Sequence, residues 1–212
     1  MPRPPRPDDL ARLRIPTDPR LSPDGTQIAF VVKSSAPRQD GYRHAIWLVP
    51  ADGSRPARQV TLGAKNDTGP RFSPDGRTLA FLSDRRTAVE DDPKAPKDAK
   101  DREDVVQVHL LPLDGGEARR LTDLPRGVDS AEWSPDGRRF VVATASHGAT
   151  REEDERRRGK ADKRPPGSPP ESDYRFVDRL GYLFNGQGFV YDQVAHLWIV
   201  DAETGEARRL TD

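Results

Sequence analysis

Apolar residues come in short runs along this chain, each bounded by turn-forming residues. One set reads Ile28-Ala-Phe-Val-Val32, Leu79-Ala-Phe-Leu82 and Phe140-Val-Val-Ala143. A second set reads Ile46-Trp-Leu-Val49, Val108-His-Leu-Leu111 and Leu197-Trp-Ile-Val200. Runs of four or five are too short for helices, and their turn-rich flanks favour buried strands.

The runs sit in a repeat. Ser22-Pro-Asp-Gly25, Ser73-Pro-Asp-Gly76 and Ser134-Pro-Asp-Gly137 precede the first set at one fixed offset, and Leu21, Phe72 or Trp133 stands just before each. The second set leads into Asp52-Gly53, Asp114-Gly115 and Thr204-Gly205. After these turns come Pro56-Ala-Arg-Gln-Val-Thr61, Glu117-Ala-Arg-Arg-Leu-Thr-Asp123 and, letter for letter, Glu206-Ala-Arg-Arg-Leu-Thr-Asp212. Proline presets φ in Ser-Pro-Asp-Gly, aspartate tolerates the next position, and glycine takes the left-handed conformation that closes the turn. Each unit therefore predicts a four-stranded antiparallel meander with a half-exposed outer strand. Such units at a period of about 40–50 residues are the signature of propeller blades.

The expected fold is all-β: an incomplete β-propeller of about three four-stranded blades, preceded by a short N-terminal helix. Asp8 or Asp9 would cap that helix and place Leu10, Leu13 and Ile15 on one side. The expected boundaries are 1–17 for the helical segment, 18–62, 63–123 and 124–212 for the blades, with charged insertions at 86–104 and 147–173. Propellers close with about 4–8 blades, so three imply a longer protein.

Composition sharpens this picture. Between Arg86 and Asp104, 12 of 19 residues are charged, and between Arg151 and Asp173, 14 of 23, so neither stretch can build a core. The 35 basic and 35 acidic residues balance, which argues against nucleic acid or an anionic membrane as partner. With no cysteine there is no disulfide, thiolate nucleophile or Cys-ligated zinc. No apolar stretch has the length of a membrane span, and the first residues lack the apolar core of a secretory signal, so the expected location is the cytoplasm.

Pro-Asp-Gly repeats of this kind resemble the blades of TolB-type propellers and those of the prolyl oligopeptidase family of serine peptidases. The stretch Asp8–Gly25, entering the first repeat without an export signal, and Arg175-Phe-Val-Asp-Arg-Leu-Gly-Tyr182 through Asn185-Gly-Gln-Gly-Phe189 to His196-Leu-Trp198 are similar to the acylaminoacyl-peptidase branch. That resemblance implies a propeller capping an α/β-hydrolase domain of the same protein, with short peptides as substrates and no cofactor. It also implies that the N-terminal helix packs on the hydrolase domain. A homo-oligomer is expected. The alternative is a TolB-like protein-interaction module without enzymatic activity.

No G-x-S-x-G nucleophile elbow occurs in the chain, so no catalytic residue is assigned and the 212 residues alone are expected to be inactive. The substrate-gating candidates are Tyr174, Arg175, Asp178 and Arg179. An arginine there would bind a peptide carboxylate in a bidentate pair; the alternative is ordinary surface ion pairs. His44, His109, His147 and His196 lack metal-ligand spacing, and His109 aligns with Trp47 and Trp198, which marks a structural strand position. Gly186-Gln-Gly188 reads as a turn, and Glu152–Glu155 as a solvated run.

Overall fold

The computed structural model describes residues 3, 6–36, 41–63, 65–86, 105–146, 183–184, 188–189 and 194–211. These form three four-stranded antiparallel sheets and one small hairpin. The first sheet runs β1 (Arg14–Leu21), β2 (Gln27–Ser35), β3 (Tyr42–Pro50), β4 (Arg58–Gln59). The second runs β5 (Asp67–Phe72), β6 (Thr78–Ser83), β7 (Gln107–Pro112), β8 (Arg119–Arg120). In the third, β9 (Ser130–Trp133) and β10 (Arg139–Ser146) are followed by the hairpin β11 (Leu183–Phe184) and β12 (Gly188–Phe189), then by β13 (Val194–Asp201) and β14 (Ala207–Arg209). Within that sheet β9, β10, β13 and β14 lie in order.

Register makes the repeat physical. Phe30, Phe81 and Val142 pair with Trp47, His109 and Trp198, which in turn pair with Gln59, Arg120 and Arg209. The Ser-Pro-Asp-Gly turns are equally regular. The serine hydroxyl donates to the aspartate at 2.6, 2.5 and 2.6 Å, and accepts from the backbone N–H of Gln27, Thr78 and Arg139. The glycines lie at φ +74°, +73° and +70°, where a side chain would be strained. The serine hydroxyl first, and then a backbone N–H two residues on, hold Asp24, Asp75 and Asp136 below the ordinary carboxylate range.

The outer strands are tied on by the repeated threonine. Thr61, Thr122 and Thr211 accept through Oγ1 from the backbone N–H of Ile46, Val108 and Leu197 at 2.9, 2.9 and 3.0 Å. The side chains of Gln59, Arg120 and Arg209 donate to the carbonyls of those same threonines. The motif thus supplies bonds that two- and three-residue outer strands cannot make through their ladders.

The sheets pack face to face in chain order, and the period of two decides which face meets which neighbour. Ala29, Val31, Ile46 and Leu48 of the first sheet pack on Leu79, Phe81 and Leu111 of the second. The next residues along the second sheet, Ala80, Leu82, Val108 and Leu110, face Phe140, Val142, Trp198 and Val200 of the third. Two cores result, one per seam, and burying each large side chain in them contributes about 1.5–3 kcal/mol.

The N-terminal helix expected from the sequence does not form as an α-helix. Pro7–Arg12 make a six-residue 3-10 helix, with the Arg6 N–H donating to Asp9 Oδ2 at 2.8 Å. β1 already starts at Arg14, because Pro16 and Pro19 are compatible with an edge strand and not with a helix interior. Leu10 and Leu13 are exposed, and Ile15 belongs to the strand.

Candidate functional site

β1, β5 and β9 are the first strands of their sheets and lie against one another in that order. Two positions before the serine of each turn stands a charge, Arg20, Arg71 and Glu132. Arg71 sits between two carboxylates: its Nε donates to Glu132 Oε1 at 2.7 Å, and its Nη1 lies 3.6 Å from Asp18 Oδ2. Arg20 closes the row on Asp18 Oδ1 at 2.7 Å. Asp18 reaches both arginines from a bulge in β1, where it adopts φ +47°. The equivalent bulge in β5 carries Gly69 at φ +60°. Trp133 Nε1 also donates to the Arg71 carbonyl at 3.2 Å, so the three first strands form one polar wall. This wall can align sheets and meet a charged ligand; its partly exposed pairs add about 0–1 kcal/mol each to stability.

A second cluster joins the start of β5, the end of β6 and β7. Asp67, fully buried, accepts from Ser83 Oγ at 2.7 Å and from Arg85 Nη2 at 2.6 Å. The Arg85 guanidinium lies 5.0 Å over the Phe81 ring, which stacks on His109 at 5.5 Å. Nearby, Asn66 bridges the first two sheets, bonding His44 Nδ1 at 2.8 Å and donating its backbone N–H to Asp84 Oδ1. Burial pushes the His109 imidazole down to about 4, with Arg85 and Arg120 acting in the same direction against the Gln107 carbonyl and Asp67. A neutral, buried ring in a strand is a structural histidine. His196 is likewise buried in β13, 3.4 Å from Thr211 Oγ1. Among the described residues no three His, Cys, Asp or Glu side chains converge as a metal site.

Tyr174, Arg175, Asp178 and Arg179 lie outside the described residues, as do His147, Glu152–Glu155, Gly186 and Gln187. Gly188 pairs with Phe184 in the small hairpin. Sequence reasoning missed the polar wall. Its one signal was a charge at a fixed offset before each turn, disguised by the change of sign at Glu132.

The fold is all-β, built of repeated antiparallel sheets, and matches part of acylaminoacyl peptidase from Pyrococcus horikoshii with a TM-score of 0.63 at 17% identity. That match covers 94% of this chain and 25% of the peptidase chain. In sequence, the chain is 36% identical over 206 residues to the uncharacterized peptidase YuxL of Bacillus subtilis, covering 96% of this chain and 27% of that protein. It is 32% identical over 145 residues to dipeptidyl-peptidase 5 of Aspergillus fumigatus, covering 64% of this chain and 19% of that enzyme. No family model matches. The chain is homologous to one segment of proteins named as peptidases, YuxL and dipeptidyl-peptidase 5, and spans about a quarter or less of the length of these relatives.

Proposed function

We propose that the three sheets are consecutive blades of a β-propeller that forms part of the wall and gate around a serine peptidase active site. The hydrolase domain belongs to the same protein, and short peptides are the substrates. The carrying observation is the alignment of 206 residues with about a quarter of a peptidase, in a chain without a nucleophile elbow. The proposed limits remain those read from the sequence, 18–62, 63–123 and 124–212 for the blades, with β1 beginning at Arg14. Tyr174, Arg175, Asp178 and Arg179 remain the proposed gating residues, and the cytoplasm the proposed location.

The packing supports the blade reading. Gly76 lies nearest Pro23 of the preceding turn, and Gly137 nearest Pro74, so the turns follow one another in a row as blades about an axis do. The first strands with the Asp18–Arg71–Glu132 row would then line the central passage. The test is a fluorophosphonate probe applied to the protein isolated from its source and, separately, to the 212-residue chain. Labelling of the former at a serine beyond residue 212, with none on the latter, is the expected result. Peptide hydrolysis that co-purifies with the 212-residue chain would overturn the non-catalytic role.

A further inference from the structure

Asp18 is the one non-glycine residue at positive φ among the described residues, at +47°, and it precedes Pro19 in the bulge of β1. The second sheet bulges at the same place, four residues before the serine of its turn. There the pair is Gly69-Pro70, with the glycine at φ +60°. The third sheet has no bulge at the equivalent Ser130, which pairs in register with Ala143. Glycine takes up this conformation without strain, and aspartate does so at a cost. Since Gly69 makes the same bulge, the backbone does not require an aspartate. Strain of this kind collects where a side chain is in use, and at Asp18 the group in use is the carboxylate.

That carboxylate reaches cations on two sheets. Oδ1 lies 2.7 Å from Arg20 Nη2, and Oδ2 lies 3.6 Å from Arg71 Nη1. On its far side Arg71 is held by Glu132. Arg20, Asp18, Arg71 and Glu132 therefore alternate in sign along the first strands, and their charges cancel. The side chains at the two ends, Arg20 and Glu132, are 43% and 63% exposed, so the row faces solvent and not a core. Without the Asp18 charge, Arg20 loses its ion pair, Arg71 keeps only Glu132, and the row carries one net positive charge.

We propose that Asp18 is a specificity-determining residue: by balancing Arg20 and Arg71 it lets the passage admit short peptides of either charge. The inference rests on reading the first strands as the lining of a peptidase's central passage. A balanced row focuses no field on an entering peptide. A row with an uncancelled charge attracts one sign and repels the other, an effect that salt screens.

The test uses two short fluorescent peptides of equal length, one rich in Asp and Glu and one rich in Lys. They are compared on the full-length protein and on its Asp18→Asn and Asp18→Gly variants. Asparagine tolerates the left-handed conformation and glycine relaxes it, so both variants keep the bulge and lose the charge. The kcat/KM ratio, acidic over basic, should rise about three- to tenfold in both variants at low ionic strength, carried by KM, and return to the wild-type ratio in about 0.5 M salt. Combining Asp18→Asn with Arg20→Met rebalances the row and should restore the ratio. Variants that lose activity on both peptides alike, or a ratio that stays put or ignores salt, would overturn the role of Asp18. Fluorescence anisotropy reads the same preference as a ratio of Kd values without turnover, so protein that the fluorophosphonate does not label still gives an answer. There, a shifted Kd ratio upholds the balancing role while the peptidase reading falls, and an unshifted ratio or no binding overturns the role of Asp18 as well.

Discussion

His109 occupies the position held by Trp47 and Trp198 in the neighbouring repeats, and it is the one of the three that titrates. It is 2% exposed, stacks on Phe81, and its Nδ1–H points to the Gln107 carbonyl at 3.2 Å. Its pKa falls from 6.5 to about 4, chiefly because burial disfavours the imidazolium. The unfolded chain therefore binds more protons between these values, so this group's contribution is complete above pH 6.5 and declines as the pH falls towards 4. Linkage puts the loss between pH 7 and pH 4.5 at about 2.5 kcal/mol. His109→Phe keeps an aromatic ring against Phe81 and removes the titration. At pH 7 it should cost about 1 kcal/mol, for the hydrogen bond lost at the Gln107 carbonyl. Urea unfolding of both proteins at pH 7 and pH 4.5 reads the difference, with the wild type losing about 2.5 kcal/mol more than the variant on acidification. Equal losses for the two proteins would refute the assignment of a buried, neutral histidine.

Other outcomes follow from the repeated contacts. Thr122→Val removes the acceptor for the Val108 N–H and the donor to Gln107 Oε1, both buried, and should cost about 2–3 kcal/mol in the same assay, with Thr122→Ser largely retaining stability. Gly205→Ala sets a Cβ 2.2 Å from the Leu121 carbonyl at φ +77°, and should loosen the third sheet from the second, read as faster amide exchange in β13 and β14. Gly53→Ala, also at positive φ but with nothing within 4 Å, should cost only about 1 kcal/mol in urea unfolding. Arg71→Met breaks pairs to partly exposed carboxylates and should shift stability by no more than about 1 kcal/mol, the shift shrinking in 1 M salt.

Much of the fold was legible because it repeats. The Ser-Pro-Asp-Gly turns mark the bend between first and second strands, and the Arg-Arg-Leu-Thr copies mark the outer strands, so strand pairing followed from alignment alone. The structural place of His109 was legible for the same reason. The start of the chain was misjudged: the Asp8–Leu13 pattern satisfies helix-capping rules, but Pro16 and Pro19 commit the following residues to an edge strand. The polar wall and the Asp67–Ser83–Arg85 cluster were not legible, because their members meet across separate strands and sheets. Glu132 carries the opposite charge to its equivalents Arg20 and Arg71, and only the inter-sheet distance shows that this makes them partners.

The three sheets are proposed to be a non-catalytic wall of a larger peptidase. The most direct measurement is the intact mass of the native polypeptide, captured from its source with an antibody to the blades. A mass far above 23.6 kDa, with a G-x-S-x-G serine in the additional sequence, is the predicted result. A native polypeptide of 23.6 kDa would contradict the account and leave a self-assembling interaction module in its place.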